Sequence, residues 1–541
     1  MNDFATMAAS LRGSEARILA GEATLSAGAL SAFEQRLADR LDAAGMRRIA
    51  SRLDNGPSWL ALDLAIRRLG GVHVPLPTFF SAGQVTHALR SSGAECVVTA
   101  AGESTPIGAA AHDALPLGEG LLAWRLHSDR PALPEGTACI TYTSGTTGQA
   151  KGVCLDAASL LTVAGSLVDA SRPLSPRRHL CLMPLSTLLE NVSGLYAALL
   201  SDAQIAVPPL AEIGYTGSAG LDVPRLLACL HRYQPESAIA LPQLLLALVS
   251  AAEQGHKLPS SLRFLAVGGG RVGPRLLARA EALGLPVYEG YGLTECASVV
   301  CLNRPGARRP GSVGRPLPHA TVSVVDGELH VDGVRCLGYL GEPGPPPGPI
   351  ATGDLGHVDD DGFVHVTGRS KNVFITAFGR NVSPEWVESE LLQHPAFAQA
   401  VVWGEARPHN VAVVWPRRAG TGEDALRAAL DDVNAGLPDY ARVSDLVLAD
   451  APFSAADGLL TSNGEFWRQQ RKLVAPALHA KRIEAYADAM VYYAEEARAG
   501  WHDGQQIRVA DAMMQITLRI VLKTLFSFEG GAEIETVGRA M

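Results

Sequence analysis

The residues with the most chemistry to offer lie in ITYTSGTTGQAKGV, Ile140 to Val153. Gly145 and Gly148 lack the Cβ that would keep backbone N–H groups away from a phosphate. Thr143, Ser144, Thr146 and Thr147 add hydroxyl donors, and Lys151 adds a positive charge. Position 150 is Ala, so the spacing is not the GxxxxGK[ST] of the common nucleotide loop. A plain Gly/Ser/Thr turn is the other reading of such a stretch. Four more segments carry polar groups in suggestive settings: VGGGRVG with Gly268 and Gly269, YEGYGLTE with Tyr291, Gly292, Thr294 and Glu295, ATGDLG with Asp354, and GRSKNVFITAFGRN with Arg369, Lys371 and Gly379. A carboxylate such as Glu295 is the hard oxygen ligand that Mg²⁺ prefers. Taken singly, Glu295 reads as a solvated surface residue and Asp354 as a turn residue. Among the first 464 residues the only lysines are 151, 257 and 371, so two of three fall in these segments in a chain that otherwise uses Arg.

Something must hold these segments in place. IAVPPL, ESAIAL, LRFLAVGGG and LPVYEGYG read as strands, with RLLACLHRY and PRLLARAEAL as helices between them. Strands alternating with helices predict an α/β fold: a large layered N-terminal domain with mostly parallel sheets. GEPGPPPGP (341–349) must be a loop, and GHVDDDGFVHVTGR a hairpin turning at Asp361-Gly362. WVESELLQHPAF and GEDALRAALDDVNAGL predict helices, and AQAVVWG and VAVVWP strands, of a smaller α+β domain. AIALPQLLLALVSAA is too short for a membrane span and reads as a buried helix beside a strand.

With 541 residues the chain exceeds one hydrophobic core, and 47% hydrophobic with 19% charged residues describes an ordinary soluble protein. The net charge of −9 argues against a nucleic-acid partner. Eight scattered cysteines without a CxxC pair argue against zinc and a disulfide framework. The first residues show no secretory signal, and a cytoplasmic location is expected. Nothing in the sequence specifies an oligomeric state.

The Ile140–Val153 segment resembles the signature of the AMP-forming adenylate synthetase superfamily of acyl-CoA synthetases, luciferases and adenylation domains, and the other four segments fit it in order over about residues 1–464. The resemblance implies ATP, Mg²⁺ and coenzyme A as cofactor and co-substrates. It implies catalytic contacts from Thr147, Lys151, Thr294, Glu295 and Arg369, with Glu295 holding the metal. Thr143, Ser144, Gly145, Thr146, Gly148, Gly268, Gly269, Tyr291, Gly292 and Asp354 would bind the nucleotide, with Tyr291 beside adenine and Asp354 on the ribose hydroxyls. Lys371 would be the pivot of a mobile C-terminal domain, and Gly379 would lie near the thiol. Domains at 1–368 and 371–463 follow. MPLSTLLENVSG resembles a long-chain acyl-CoA synthetase pattern, with Thr187 where that pattern has His. The implied activity is conversion of a fatty acid to acyl-AMP and then acyl-CoA. The alternatives are a nucleotide- or acyl-binding protein that turns over poorly, or an adenylating enzyme with a different acceptor.

The family ends on Gly-Lys, whose lysine bridges carboxylate and α-phosphate. Here Glu465 follows Gly464, and Lys472 lies seven residues on. A carboxylate there repels the anions it should neutralise. Composition changes at this point: residues 465–541 hold only Pro476 of 34 prolines and half of the eight methionines. Apolar faces at Ile483, Tyr486, Ala487, Met490, Ala494, Ala497 and Trp501, then Val509, Met513, Ile516, Ile520 and Leu525, predict an all-helical tail. GEFWRQQRKLVAPALHAKRIEAYADAM, with Trp467 and Arg471, resembles an early fragment of cytochrome P-450 haem-thiolate monooxygenases. No cysteine follows Cys336, so no functional haem is expected.

Overall fold

The computed structural model describes residues 17–21, 23–103, 111–126, 129–143, 150–216, 220–342, 344, 348–405, 407–418, 420–449, 451–453, 494–499, 501 and 505. The chain divides into two units, Met1–Phe453 with Ser462–Gly464, and Ser454–Thr461 with Glu465–Met541. In the second unit, residues 494–499 are helical and Trp501 is 38% exposed. Glu465, Trp467, Arg471, Lys472 and the rest of the expected apolar faces lie outside the described residues.

The first unit is α/β, as the alternating pattern predicts. An eight-stranded sheet has a parallel centre of Thr137–Thr143, Val72–Pro75, Arg48–Ser51 and Cys96–Ala100. A nine-stranded sheet has the parallel run Val287–Leu293, Phe264–Val267, Ser237–Ala240, Arg178–Leu180, Gln204–Ala206 and Arg17–Ala20. Both sheets turn antiparallel at their edges. Central strands such as Ser237–Ala240 are buried at every residue, so both faces are covered and the sequence runs apolar without alternation. The helix Val223–Tyr233 starts where the Asp222 carboxylate accepts from Arg225 N at 3.1 Å, with proline just inside the cap.

A third sheet orders Ala320–Val325, Glu328–Gly333, Ile350–Val358 and Val364–Arg369 antiparallel. Its last two strands are the hairpin expected from Asp361-Gly362, with Gly362 at φ +80°. Its pairing with Glu328–Gly333 is not visible in local periodicity. Past it, the helices Pro384–Gln393 and Glu423–Asn434 pack on the sheet of Phe397–Trp403, Asn410–Pro416 and Val443–Leu448 around a core drawn from Phe374 to Leu446. The stretch expected as a buried helix, Pro242–Glu253, sends Leu244, Leu245, Leu248 and Val249 into the nine-stranded sheet's core. Among the described residues no helix is long and apolar enough to cross a membrane. All eight cysteines are buried thiols.

One buried polar network has no counterpart in the motifs. Asp63, on the helix Pro57–Arg68, accepts from Tyr196 Oη at 2.5 Å, pairs with Arg67 at 3.2 Å and lies 2.6 Å from His73 Nδ1. His73 Nε2 sits 2.8 Å from Ser51 Oγ. Burial alone would raise the Asp63 carboxyl, but Arg67, His73 and Tyr196 outweigh it and hold the pKa down to about 2. Ser51, His73 and Asp63 are each at most 1% exposed, so this Ser–His–Asp line cannot meet a substrate and ties strands to helix instead.

Candidate active site

The site is organised by the end of one strand. Val287–Leu293 runs into the short helix Thr294–Cys296 and turns back as Ser298–Leu302. The turn is tight: Ala297 and Ser298 sit at φ +59° and +123°. A side chain at Gly292 would run into the Ser298 carbonyl, and the register slips between Tyr291 and Gly292. Positive φ at non-glycine residues stores backbone strain of the kind that collects at functional turns. The result is that Tyr291 and Glu295, four residues apart, head two polar clusters.

Tyr291 heads the first. Its hydroxyl donates to Asp354 Oδ2 at 2.6 Å, and Arg369 Nε lies 2.8 Å from Oδ1. Asp354 and Arg369 are cross-strand partners in the third sheet. Burial and the neighbouring Asp354 charge push the Tyr291 phenol well above its usual range, so it stays a donor. Each Asp354 oxygen keeps a second lone pair for a further donor.

Glu295 heads the second cluster. Its Oε1 accepts from Tyr339 Oη at 2.7 Å. The Tyr339 ring lies 5.1 Å from Lys151 Nζ, in cation–π range. Lys151 in turn pairs with Glu342 at 2.8 Å. The segment carrying Tyr339 is laced into place: Cys336 N donates to Glu295 O, Leu337 N to Cys154 O and Leu340 N to Gly152 O. A Cβ at Gly152 would collide with the Leu340 side chain.

Of the other expected site residues, Thr143 ends its strand opposite Lys151. Thr294 opens the short helix and accepts from Ala297 N at 3.0 Å. Gly268 packs against Gly290, and Gly269, at φ +74°, faces Leu241 and Leu189. Lys371 is exposed, and Gly379, at φ +70°, has open space around it. Ser144, Gly145, Thr146, Thr147 and Gly148 lie outside the described residues. Thus the structure gathers Lys151 with Glu295 through Tyr339, and Tyr291 with Asp354 and Arg369. The motifs missed Tyr339 and Glu342, whose signal was their place just before and just inside the proline-rich loop.

A family model described as AMP-binding enzyme matches residues 6–342. The chain belongs to this family. It is 28% identical over 443 residues to long-chain-fatty-acid–CoA ligase FadD15 of Mycobacterium bovis, covering 66% of this chain and 70% of that protein. It is 29% identical over 414 residues to feruloyl-CoA synthase of Amycolatopsis sp, covering 72% and 82%. It spans 59% of the length of human long-chain-fatty-acid–CoA ligase 1, at 26% identity over 418 residues and 61% of this chain. Its fold is similar to that of the anthranilate CoA ligase AuaEII in complex with anthranoyl-AMP, with a TM-score of 0.71, 20% identity, and 88% and 97% of the two chains covered.

Two further features of this AMP-binding chain bear on the site. Glu289 faces a cavity lined by Gly270, Arg271, Gly290, Gly311 and Val366. It accepts from Gly311 N at 3.0 Å. Burial raises its pKa to about 7, against the opposing Gly311 hydrogen bond and the charges of Arg308 and Arg271. In MPLSTLLE, Glu190 is wholly buried: Oε1 lies 3.0 Å from His179 Nε2, and Oε2 accepts from Met183 N at 2.8 Å. His179 Nδ1 is engaged by Ser237 Oγ at 3.0 Å. Cys181 completes a group with metal-like spacing, but His179 and Glu190 already have partners, and the group clasps the loop shut. Thr187, at the expected histidine position, donates to Pro184 O at 2.7 Å.

Proposed function

We propose that the protein activates a carboxylic acid with ATP and transfers the acyl group to coenzyme A. The observation that carries this reading is that one strand end feeds both clusters. Tyr291, Asp354 and Arg369 offer a hydrogen-bonding end suited to a ribose, and Lys151 and Glu295 offer opposite charges suited to phosphates and their metal. Asp354 takes the ribose hydroxyls on its remaining lone pairs. Glu295 has one oxygen taken by Tyr339, leaving Oε2 for Mg²⁺, which binds through few carboxylates and substrate phosphates. A bound Mg²⁺ there supplies charge neutralisation at the phosphate oxygens. Lys151 and the Thr143–Gly148 loop hold the phosphates while a carboxylate oxygen attacks the α-phosphorus and the bond to pyrophosphate breaks. A coenzyme A sulfur then attacks the acyl carbon and AMP leaves with the bonding pair. In this reading residues 371–463 turn about Lys371 between steps, relative to 1–368, and Gly379 approaches the thiol.

For the acid, an apolar tail is favoured, because Leu189 and Leu241 wall the Gly269 loop. A fatty acid is our first choice, supported by the likeness to the FadD15 ligase. Feruloyl-CoA synthase is matched at similar identity, which keeps an aromatic acid as the second. We read the segment from Glu465 as a P-450-like fragment, and the division between units near 453–465 supports a junction there. The test is pyrophosphate release from ATP across a panel of fatty and aromatic acids. Lys151→Ala and Glu295→Ala should each lower it about tenfold or more, an interaction of about 1.4 kcal/mol. Release unchanged in both variants overturns the site.

A further inference from the structure

The proposed phosphate lysine and the proposed metal carboxylate meet on one side chain that no motif reading singles out. Tyr339 donates its hydroxyl to Glu295 Oε1 at 2.7 Å and sets its ring 5.1 Å from Lys151 Nζ. It can do both only because its backbone is fixed from two sides. Gly338 and Tyr339 pair antiparallel with Cys154 and Val153, on the strand that begins at Lys151. Three residues earlier, Cys336 N donates to the Glu295 carbonyl at 2.6 Å. The segment is therefore stitched to the strand bearing the lysine and to the turn bearing the carboxylate. A Tyr on such a segment fixes the distance between the two.

We infer that Tyr339 is a positioning residue. By occupying Oε1 of Glu295 it selects which carboxylate oxygen faces the cation, and by lying under Lys151 it holds the ammonium beside the same space. This rests on the site reading proposed above and extends it, from the contact that Tyr339 makes with Glu295 to the placing of both Glu295 and Lys151. A carboxylate turned by a neighbouring donor presents its free oxygen in one orientation, and losing such an outer partner commonly costs a metal site ten- to hundredfold in affinity. Glu295 is half-buried and its metal is expected to share ligands with phosphate, so the lower end applies.

The test is Mn²⁺ binding, followed by electron paramagnetic resonance, to the full chain with a non-hydrolysable ATP analogue. Tyr339→Phe removes the donor and keeps the ring. Mn²⁺ affinity should fall about tenfold. Binding of the metal-free analogue should change less than twofold, and the thermal midpoint of the unliganded protein should hold. Tyr339→Leu, which also removes the ring beneath Lys151, should additionally weaken the metal-free analogue. Glu295→Ala runs alongside as the reference. If Glu295→Ala loses Mn²⁺ and Tyr339→Phe binds it like the parent, Tyr339 has no positioning role and the site reading stands. If Glu295→Ala also binds like the parent, the site reading falls and this inference with it.

Discussion

The same three residue types meet twice in this molecule. In the interior, Tyr196 donates to Asp63 and Arg67 pairs with it; at the site, Tyr291 donates to Asp354 and Arg369 pairs with it. The distances are alike. The surroundings are not: the Arg67 side chain is 2% exposed and that of Arg369 is 49% exposed. In the first, every charge depends on its partners, because water cannot reach it. In the second, the Arg369 side chain stands half in solvent, beside an Asp354 side chain that is 6% exposed. The chemistry of a cluster thus does not mark it as functional; access does. The inner cluster has even the order of a hydrolase triad through His73 and Ser51, and no room for a substrate.

The contrast can be broken by experiment. The largest effect should come from Asp63→Ala, which leaves Arg67 buried without its carboxylate and should cost about 3–5 kcal/mol of folding stability. Urea denaturation would show it; a loss under about 1 kcal/mol would mean that the interior cluster is not structural. Next in size is the charge missing at the chain's proposed closing position. Glu465→Lys should raise acyl-AMP formation about a hundredfold. Thioester formation from supplied acyl-AMP should barely change. Brisk adenylation in the parent, untouched by the substitution, would show that another residue fills the role. Asp354→Ala should differ from Asp63→Ala. Nucleotide affinity should drop by about ten- to hundredfold through lost charge-assisted hydrogen bonds. Folding stability should fall less than in Asp63→Ala, by about 1–3 kcal/mol, because Arg369 can turn to water while the Tyr291 hydroxyl loses its acceptor.

The smallest effect concerns pH. Asp63 and Glu289 are both buried acids shifted in opposite directions, to about 2 and about 7. Asp63 therefore contributes stability above its unfolded pKa that is lost in acid. Glu289 binds its proton more tightly folded than unfolded, so its contribution is present below about pH 4.5 and is lost as pH rises towards 7. Glu289→Gln, which cannot ionise, should gain roughly 1–3 kcal/mol relative to the parent between pH 4.5 and 8. A parallel pH dependence of the two proteins would contradict the raised pKa.

Much of this architecture can be read from residue order. Alternating apolar runs and helical stretches mark the parallel strands, because buried strands and amphipathic helices have different periods. Asp361-Gly362 marks its hairpin, since a tight turn needs the left-handed conformation that glycine supplies. Lys151 stands out because its neighbours are small and hydroxylated, whereas Glu295, Asp354 and Arg369 are marked only by the family resemblance of their segments. Tyr339 has neither mark: LGYLGE has no unusual composition, and its place beside Glu295 follows from a pairing of two residues with a strand far back in the chain. Glu289 lies inside a motif yet reads as one more polar residue, because its raised pKa comes from burial by distant segments. The third sheet escaped for the same reason. Local periodicity carries strand and helix, but contacts between distant segments belong to the register of pairing.

That late pairing also fixes when the site can exist during synthesis. Lys151 leaves the ribosome almost at the start of its strand, and Tyr339, which covers that strand's outer edge, follows nearly two hundred residues afterwards. Until then the lysine strand is an open edge, able to pair with any other chain nearby. Asp354 and Arg369 emerge later still, so a nascent chain halted before them holds most of its apolar core and no complete nucleotide cluster. Between residues 151 and 339 the growing chain therefore carries this edge without its native partner.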